Sequence, residues 1–499
     1  MRTLISFLLF FVGFILASSA AWCVRKFGEV TYEQIIFHLN MPFGSETRMI
    51  ASYLKNTVMT AVIITAVLYL LVFFKRKIWI PVIYDVRGFL YNHRLFISFC
   101  WFVGCLVFVF FKMNVPLMLT MQQYKSETSN FYEEHYVYPQ NANITPPLVK
   151  KNLILIFAES MESTYAKTSE HDYFGTNLIP SLSALAKEGI NFSDSQDLGG
   201  AFPVDGTQWT QAGLLAQTCG IPIELPIQDS NFFHPKGDFF PKAYCLYDIL
   251  KADGYNLSFV LGSNKQFAGM DRFVKTHGDM RLIDTEYFSD KYGFFRGLEN
   301  TKKLKDSRLY REAEDLLTDI ASKEEPFAFT LMTIDTHYGT AVFDDEVCRR
   351  QYSVDKNDFN HFKDVYACAD KQLGEFIDWI KQQDFYENTT LVVIGDHLTM
   401  NEGIFNSSMK RRIFNLFLNT DTVAEKTTGR VFTSFDIYPT IVESLGYKIE
   451  GGRLALGTSL FSGVPTLAEE GITPDIMSIE VKKQSKVYDE LLFGKQVRE

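Results

Sequence analysis

Between residues 152 and 397, four short apolar runs each stop abruptly on a polar cluster: NLILIFAES (152–160), LSFVLGSNK (257–265), FAFTLMTIDTHYG (327–339) and TLVVIGDH (390–397). An apolar run without hydrophilic alternation reads as a strand buried on both faces, the condition of a parallel sheet covered by helices. The stretches between them agree. KQLGEFIDWIKQQ sets Leu373, Phe376, Ile377 and Ile380 on one face at spacings of three and four, the mark of an amphipathic helix. From about residue 151 to 462 this alternation predicts an α/β domain with a largely parallel sheet flanked by helices.

In such a sheet all carboxyl ends share one edge, and ligands bind in the crevice there. Glu159, Asp335, His337, Asp396 and His397 are therefore expected to converge, although up to 238 positions separate them. Carboxylates with imidazoles suit a divalent cation bound by oxygen and nitrogen. The plainer explanation for any one of them is an acid capping the next helix or a histidine satisfied in the core. The segment GGAFPVDGTQWTQAGLLAQTCGIP (199–222) adds a glycine-rich loop running into a helix. Thr207 falls where that helix should begin, where free N–H groups favour phosphate. A hydroxyl there, beside a metal, can act as a nucleophile. Thr207 equally suits a helix cap, and Asp205 or Thr210 could fill either role.

Charge divides the chain. Residues 1–112 hold 11 Lys/Arg against 4 Asp/Glu, whereas the remainder carries a net −17. So acidic a remainder excludes nucleic acid as a partner, because phosphate backbones need clustered Lys/Arg. The basic part holds apolar stretches at about 4–24, 57–74 and 95–111, each near the ~20 residues that cross a bilayer. Lys75, Arg76, Lys77, Arg87 and Arg94 lie between the second and third. The positive-inside rule puts them in the cytoplasm and everything after Lys112 outside. The first stretch is read as an uncleaved helix rather than a signal peptide cut near ASSAA (17–21), because it is long for a signal. Residues 113–150 read as a linker closed by prolines, and 463–499 as a C-terminal extension.

Cysteine placement fits that compartment. Cys23, Cys100 and Cys105 lie in or beside apolar segments, where a thiol is a small apolar group. Cys219, Cys245, Cys348 and Cys368 lie in the exported part, where disulfides persist. Of the three pairings four cysteines allow, sequence proximity favours Cys219–Cys245 and Cys348–Cys368.

IFAES, DGTQWTQAG, IDTHYG and IGDHLTMN, in this order, resemble the alkaline-phosphatase/sulfatase superfamily. They look most like its membrane-bound phosphoglycerol transferases, which include lipoteichoic acid synthases and the enzymes that decorate osmoregulated periplasmic glucans. AQTCGIPI (216–223), NKQFAGMDRFVKTHG (264–278) and the DHL ending point to the glucan-type relatives. Carried over residue by residue, the resemblance implies metal ligands at Glu159, Thr207, Asp396 and His397. It also implies a Thr207 nucleophile, a phosphate-contacting His337, and substrate contacts from Asn264, Lys265, Asp335 and His337. The implied cofactor is one divalent ion, Mn2+ or Mg2+, with Zn2+ as the alternative. The sulfatase signature C/S-x-P-x-R is absent around Thr207, so sulfate-ester cleavage is not expected. Lipoteichoic acid synthases carry His, Trp and Arg in the loop where this chain has Leu261, Ala268 and Met270, so headgroup recognition must differ.

The implied reaction is transfer of phosphoglycerol from phosphatidylglycerol to a periplasmic glucan or other envelope glycan through a covalent threonine intermediate, with release of diacylglycerol. The implied location is the bacterial inner membrane, multi-pass, with the catalytic domain in the periplasm. The alternatives are a phosphoethanolamine transferase acting on lipopolysaccharide, a membrane-anchored phosphodiesterase, and a catalytically dead binding protein.

Overall fold

The computed structural model describes residues 1–27, 53–73, 89, 92–115, 127–224, 238–292, 304–323, 325–406 and 409–494. Lys75, Arg76, Lys77 and Arg87, on which the charge argument leans, lie outside them. The chain separates into two compact units. One holds Met1–Tyr32 and Ser45–Gln123; the other holds Glu33–Gly44 and Tyr124–Glu499.

In the larger unit, Leu153, Leu155 and Phe157 enter one core while Ile154, Ile156 and Ala158 enter another. Successive strand residues point to opposite faces, so an unbroken apolar run is what a strand with a core on each side requires. This strand, β1 (Asn152–Ala158), is buried throughout. With β2 (Gly200–Ala201), β3 (Asn256–Leu261), β4 (Arg281–Ile283), β5 (Phe327–Met332), β6 (Thr389–Gly395) and β7 (Ile413–Leu418) it forms one seven-stranded sheet, in the order β2-β7-β6-β1-β5-β3-β4. The central pairings of β1 with β5 and β6, and of β3 with β4 and β5, are parallel. β7 is antiparallel to both β6 and β2. Each fully buried aliphatic or aromatic side chain contributes roughly 1.5–3 kcal/mol, so the two cores dominate stability. The predicted α/β class and its helical cover are the observed architecture.

The helix predicted from KQLGEFIDWIKQQ runs over His361–Lys381 and buries Leu373, Phe376, Ile377 and Ile380. Its Asp370 carboxylate accepts N–H bonds from Ser181 (2.8 Å) and Leu182 (2.9 Å), the first turn of helix Pro180–Glu188. Two segments set apart in the sequence are built into this unit. Phe131 and Tyr132 of the predicted linker, and Met477, Leu491 and Leu492 of the predicted extension, are buried in the first core.

In the smaller unit, helix Arg2–Phe27 and helix Arg94–Lys112 pack side by side. The hydroxyls of Ser6 and Ser98 are 2.8 Å apart. The Phe10 and Trp101 rings stack at 4.8 Å, and a Cβ on Gly13 would meet Phe102 Cα at 3.2 Å. Partners rise together along both helices, so the two run parallel. Between them in sequence lies a π-helical turn, Leu54–Met59, followed by helix Thr60–Phe73; the hydroxyl of Tyr53, just before the π-helical turn, lies 2.8 Å from that of Ser19 in the first helix. Among the described residues, two helices, Arg2–Val24 and Arg94–Lys112, are long and apolar enough to cross a membrane. The second predicted span, at about 57–74, appears among the described residues as a shorter apolar helix, Thr57–Val67.

Candidate metal centre and nucleophile loop

β1 and β6 are neighbours, and each ends one residue before a carboxylate. Ser160, just past β1, takes a left-handed φ of 53°. That turn aims its N–H at Asp396 Oδ1 (2.7 Å) and its hydroxyl at Glu159 Oε1 (2.7 Å). Asp396 Oδ1 also accepts the N–H of His397 (2.9 Å). On Gly395 a Cβ would stand 2.0 Å from the Met161 carbonyl, so the chains cross here only because the residue is glycine.

Glu159, Asp396 and His397 thereby present ligand atoms that all lie within 4.8 Å of one another. An ion at about 2.0–2.5 Å from each donor can bridge atoms that far apart. All three side chains are buried, and Glu159 Oε2 and Asp396 Oδ2 have no hydrogen-bond partner. Burial, then the charge of Asp396, pushes the Glu159 carboxyl up; burial likewise raises Asp396. His397 Nε2 lies 3.5 Å from Glu159 Oε1 and 3.4 Å from Asp396 Oδ2. Burial pushes this imidazole down, but Asp396 and Glu159 outweigh it and the net shift is upward. Its Nδ1 is 2.7 Å from the Leu398 carbonyl, which keeps a proton on Nδ1 and leaves Nε2 available as a ligand. Two buried carboxylates with orphaned oxygens need a counter-charge, and this donor set fits a divalent cation.

The helix after the glycine-rich loop begins at Thr210, with Trp209 as its extended N-cap. The expectation that it begins at Thr207 is therefore corrected. Thr207 belongs to the preceding tight turn, where its N–H and hydroxyl donate to the Val204 carbonyl at 3.1 Å and 2.7 Å. Gly206 supplies the positive φ, 78°, that the turn requires. Helix Thr210–Cys219 presses on the strand end: a Cβ on Gly213 would meet the Asp396 carbonyl at 2.0 Å and the Thr207 carbonyl at 3.5 Å. Gln217 Nε2 donates to the carbonyls of Gly395 (2.9 Å) and Asp396 (3.0 Å). Thr207 thus joins the cluster through backbone packing, while the Thr210 hydroxyl reaches His397 Nε2 at 3.4 Å.

The other predicted residues divide. His337 is half-buried and close enough for its charge to lower Glu159; its Nδ1 lies 2.9 Å from the Tyr338 carbonyl. Asp335 accepts the Asp306 N–H (3.0 Å), and Asp306 in turn accepts the N–H groups of Ile334 and Asp335. Burial, then the Asp335 charge, pushes Asp306 well up. Asn264 and Lys265 bond to Glu286 at an exposed surface (3.2 and 2.6 Å). Glu162 was missed in the sequence. Fully buried, it takes two bonds from Arg411 and the Thr399 N–H (2.9 Å), holding the loop that follows His397. Its only signal was a second acid three positions after Glu159. Disulfides join Cys219 to Cys245 and Cys348 to Cys368, while Cys23, Cys100 and Cys105 are free.

A sequence model of the sulfatase family matches residues 151–447. The phosphoglycerol transferase I of Shigella flexneri is 31% identical over 350 residues, covering 68% of this chain and 43% of that protein. The protein of the same name from Salmonella typhi gives the same figures. The chain thus spans less than half the length of the curated relatives it matches. Two solved structures share the fold. The integral membrane lipooligosaccharide phosphoethanolamine transferase A of Neisseria meningitidis has a TM-score of 0.52 at 12% identity, over 89% of this chain and 84% of that one. The lipoteichoic acid synthase of Listeria monocytogenes has a TM-score of 0.50 at 19% identity, over 66% and 80%.

Proposed function

The chain belongs to the sulfatase family, and from that premise we propose that it transfers phosphoglycerol from phosphatidylglycerol to an envelope glycan of the periplasmic-glucan kind. The observation that carries this reading is the convergence of Glu159, Asp396 and His397 around two partnerless carboxylate oxygens. The donor follows from likeness to phosphoglycerol transferases.

Glu159, Asp396 and His397, with Thr207 Oγ1 as the fourth implied ligand, would hold a divalent ion, which would supply positive charge for an alkoxide and for the phosphoryl oxygens. Thr207, its hydroxyl proton already given up to water, attacks phosphorus through Oγ1 as the bond to diacylglycerol breaks; the leaving oxygen takes a proton from protonated His337, leaving a glycerophosphoryl-threonine and a neutral His337. An acceptor sugar hydroxyl then gives its proton to His337 and attacks the same phosphorus, expelling Thr207. The N–H groups at the start of helix Thr210–Cys219 face the phosphate in both steps. Thr210 is a second candidate nucleophile, favoured by its 3.4 Å approach to His397.

The apolar helices are proposed as a three-span anchor with the larger unit outside the cytoplasm. Two parallel spans, Arg2–Val24 and Arg94–Lys112, require the chain between them to cross back, and Leu54–Phe73 supplies a helix for that crossing. A tethered domain meets lipid headgroups at high effective concentration.

The test is incubation with labelled phosphatidylglycerol vesicles and Mn2+. Diacylglycerol release, with a glycerophosphoryl adduct on the 199–222 peptide that Thr207→Ala abolishes and Thr210→Ala spares, is the expected result. Release from phosphatidylethanolamine alone would reassign the donor, and equal release from Thr207→Ala would remove the nucleophile.

A further inference from the structure

Lys482 lies outside the region matched to the sulfatase family, in a segment the sequence reading left without a role. Its side chain is 5% exposed and its ammonium pairs with the carboxylate of Asp205, two residues before Thr207. The Asp205 N–H donates to the hydroxyl of Ser478 (3.0 Å) on helix Pro474–Glu480. The other Asp205 oxygen accepts from Gln208 Nε2 (3.2 Å), so one side chain ties both flanks of Thr207. A second grip comes from helix Lys486–Phe493. The Tyr488 hydroxyl donates to the Pro222 carbonyl (3.0 Å) and accepts the Glu224 N–H (2.6 Å). Between those two residues the Ile223 N–H donates to the Gly206 carbonyl (2.8 Å).

The gripping segment is itself anchored. Thr473 and Ser485 cap its helices. Gln484 exchanges backbone bonds with Glu127 (2.8 Å) and Ser129 (3.1 Å). Val481 is buried in the same core as β1. A nearly desolvated lysine is costly unless paired, so its pairing here constrains the loop's position, and nucleophile placement to within a fraction of an ångström governs turnover.

We infer that residues 473–493 act as a brace that sets the Thr207 loop, with Lys482 as its positioning residue. The inference rests on the reading of Thr207 as nucleophile.

The experiment compares full-length wild type, Lys482→Met and Lys482→Arg in detergent with Mn2+. It reads amide exchange of the 199–210 backbone, kcat and KM for diacylglycerol release, Mn2+ affinity and the thermal midpoint. Lys482→Met is expected to speed exchange in 199–210 alone and to lower kcat by about tenfold or more, with KM and Mn2+ affinity unchanged and Lys482→Arg restoring most of both. Asp205→Asn, which keeps the volume at that position, should give the same loop-confined signature if Lys482→Met does not fold. Wild-type exchange and kcat in Lys482→Met overturn the inference. So does faster exchange across the whole sheet with a lowered midpoint, which would make the segment a general stabiliser. If wild type releases no diacylglycerol while Lys482→Met still loosens only 199–210, the transferase reading fails and the brace stands.

Discussion

Glu159 Oε2 and Asp396 Oδ2 are buried oxygens without hydrogen-bond partners, and their situation makes the stability of the ion-free protein depend on charge. Each carboxyl is pushed upward by burial, so in the absence of a cation the pair opposes folding. Asp396→Asn removes one of the two negative charges. It is expected to raise or leave unchanged the melting temperature of chelator-treated protein while abolishing the gain that Mn2+ gives wild type. Its Mn2+ affinity should fall on the order of a hundredfold or more, beyond what residues that merely orient ligands cause. Calorimetric titration and melting with and without Mn2+ check both halves; an undiminished metal-induced gain would remove Asp396 from the ligand set. Asp335, read in the sequence as the same kind of strand-end acid, instead accepts from the N–H of Asp306 at the start of helix Asp306–Ala321. The two fates differ in partner: Asp396 lies beside His397 and Glu159, whereas Asp335 lies beside Asp306.

Among the elements, the helix Thr210–Cys219 and the end of β6 approach so closely that only glycine fits at their contact. Gly213→Ala would put a methyl 2.0 Å from the Asp396 carbonyl. Overpacking of this kind costs roughly 1–3 kcal/mol, and here the strain falls on a proposed metal ligand. Denaturant midpoints should drop accordingly and Mn2+ affinity with them. Gly254→Ala is no clean control, since its φ is +81°; Gly104→Ala, where nothing lies within 4 Å, should leave both intact. A second element-scale effect is pH. Asp370, bonded to the first turn of helix Pro180–Glu188, and Asp436, in the capping box of helix Ser434–Ser444, are each pushed up to about 6, burial outweighing the N–H groups that favour the charged form. A carboxyl whose folded value exceeds its unfolded ~3.9 holds its proton more tightly when folded. That share of stability is therefore complete below about pH 4 and is lost as pH rises through about 6. Asp370→Asn should flatten this fall, seen as a smaller difference between urea midpoints at pH 4 and pH 6.5 than wild type shows.

For the whole molecule, the parallel packing of Arg2–Phe27 against Arg94–Lys112 bears on which side of the membrane each end occupies. With Cys23, Cys100 and Cys105 replaced by Ser, a cysteine introduced at Ser353 is expected to react with an impermeant maleimide on right-side-out membranes, and one at Thr3 only after permeabilisation. Labelling of both before permeabilisation would contradict a three-span anchor. The two disulfides suit the same placement. Each closes a loop of 20 to 26 residues, for which loop-closure entropy amounts to about 3 kcal/mol, and each persists only in an oxidising compartment.

Local pattern alone was enough to read β1, β3, β5 and β6, the helix over 361–381 and the polar groups at the strand ends, because burial on two faces and helical periodicity are written within a few neighbouring residues; β2, β4 and β7 were not read. NLILIFAES and TLVVIGDH announced both their strands and the residues just beyond them. Partnership was a different matter. That β1 and β6 are adjacent, that Ser160 turns left-handed to bond Asp396, and that Asp335 faces Asp306 follow from strand order and chain crossings that no window of sequence contains. Lys482 and Asp205 stand 277 positions apart, Glu162 and Arg411 stand 249 apart, and neither pair has a periodic signature. The apolar pattern determined which strands run through the core; tertiary packing alone decided that Phe131, Tyr132 and Met477 join it and which buried charges meet, because a charge finds its partner in space and not along the chain.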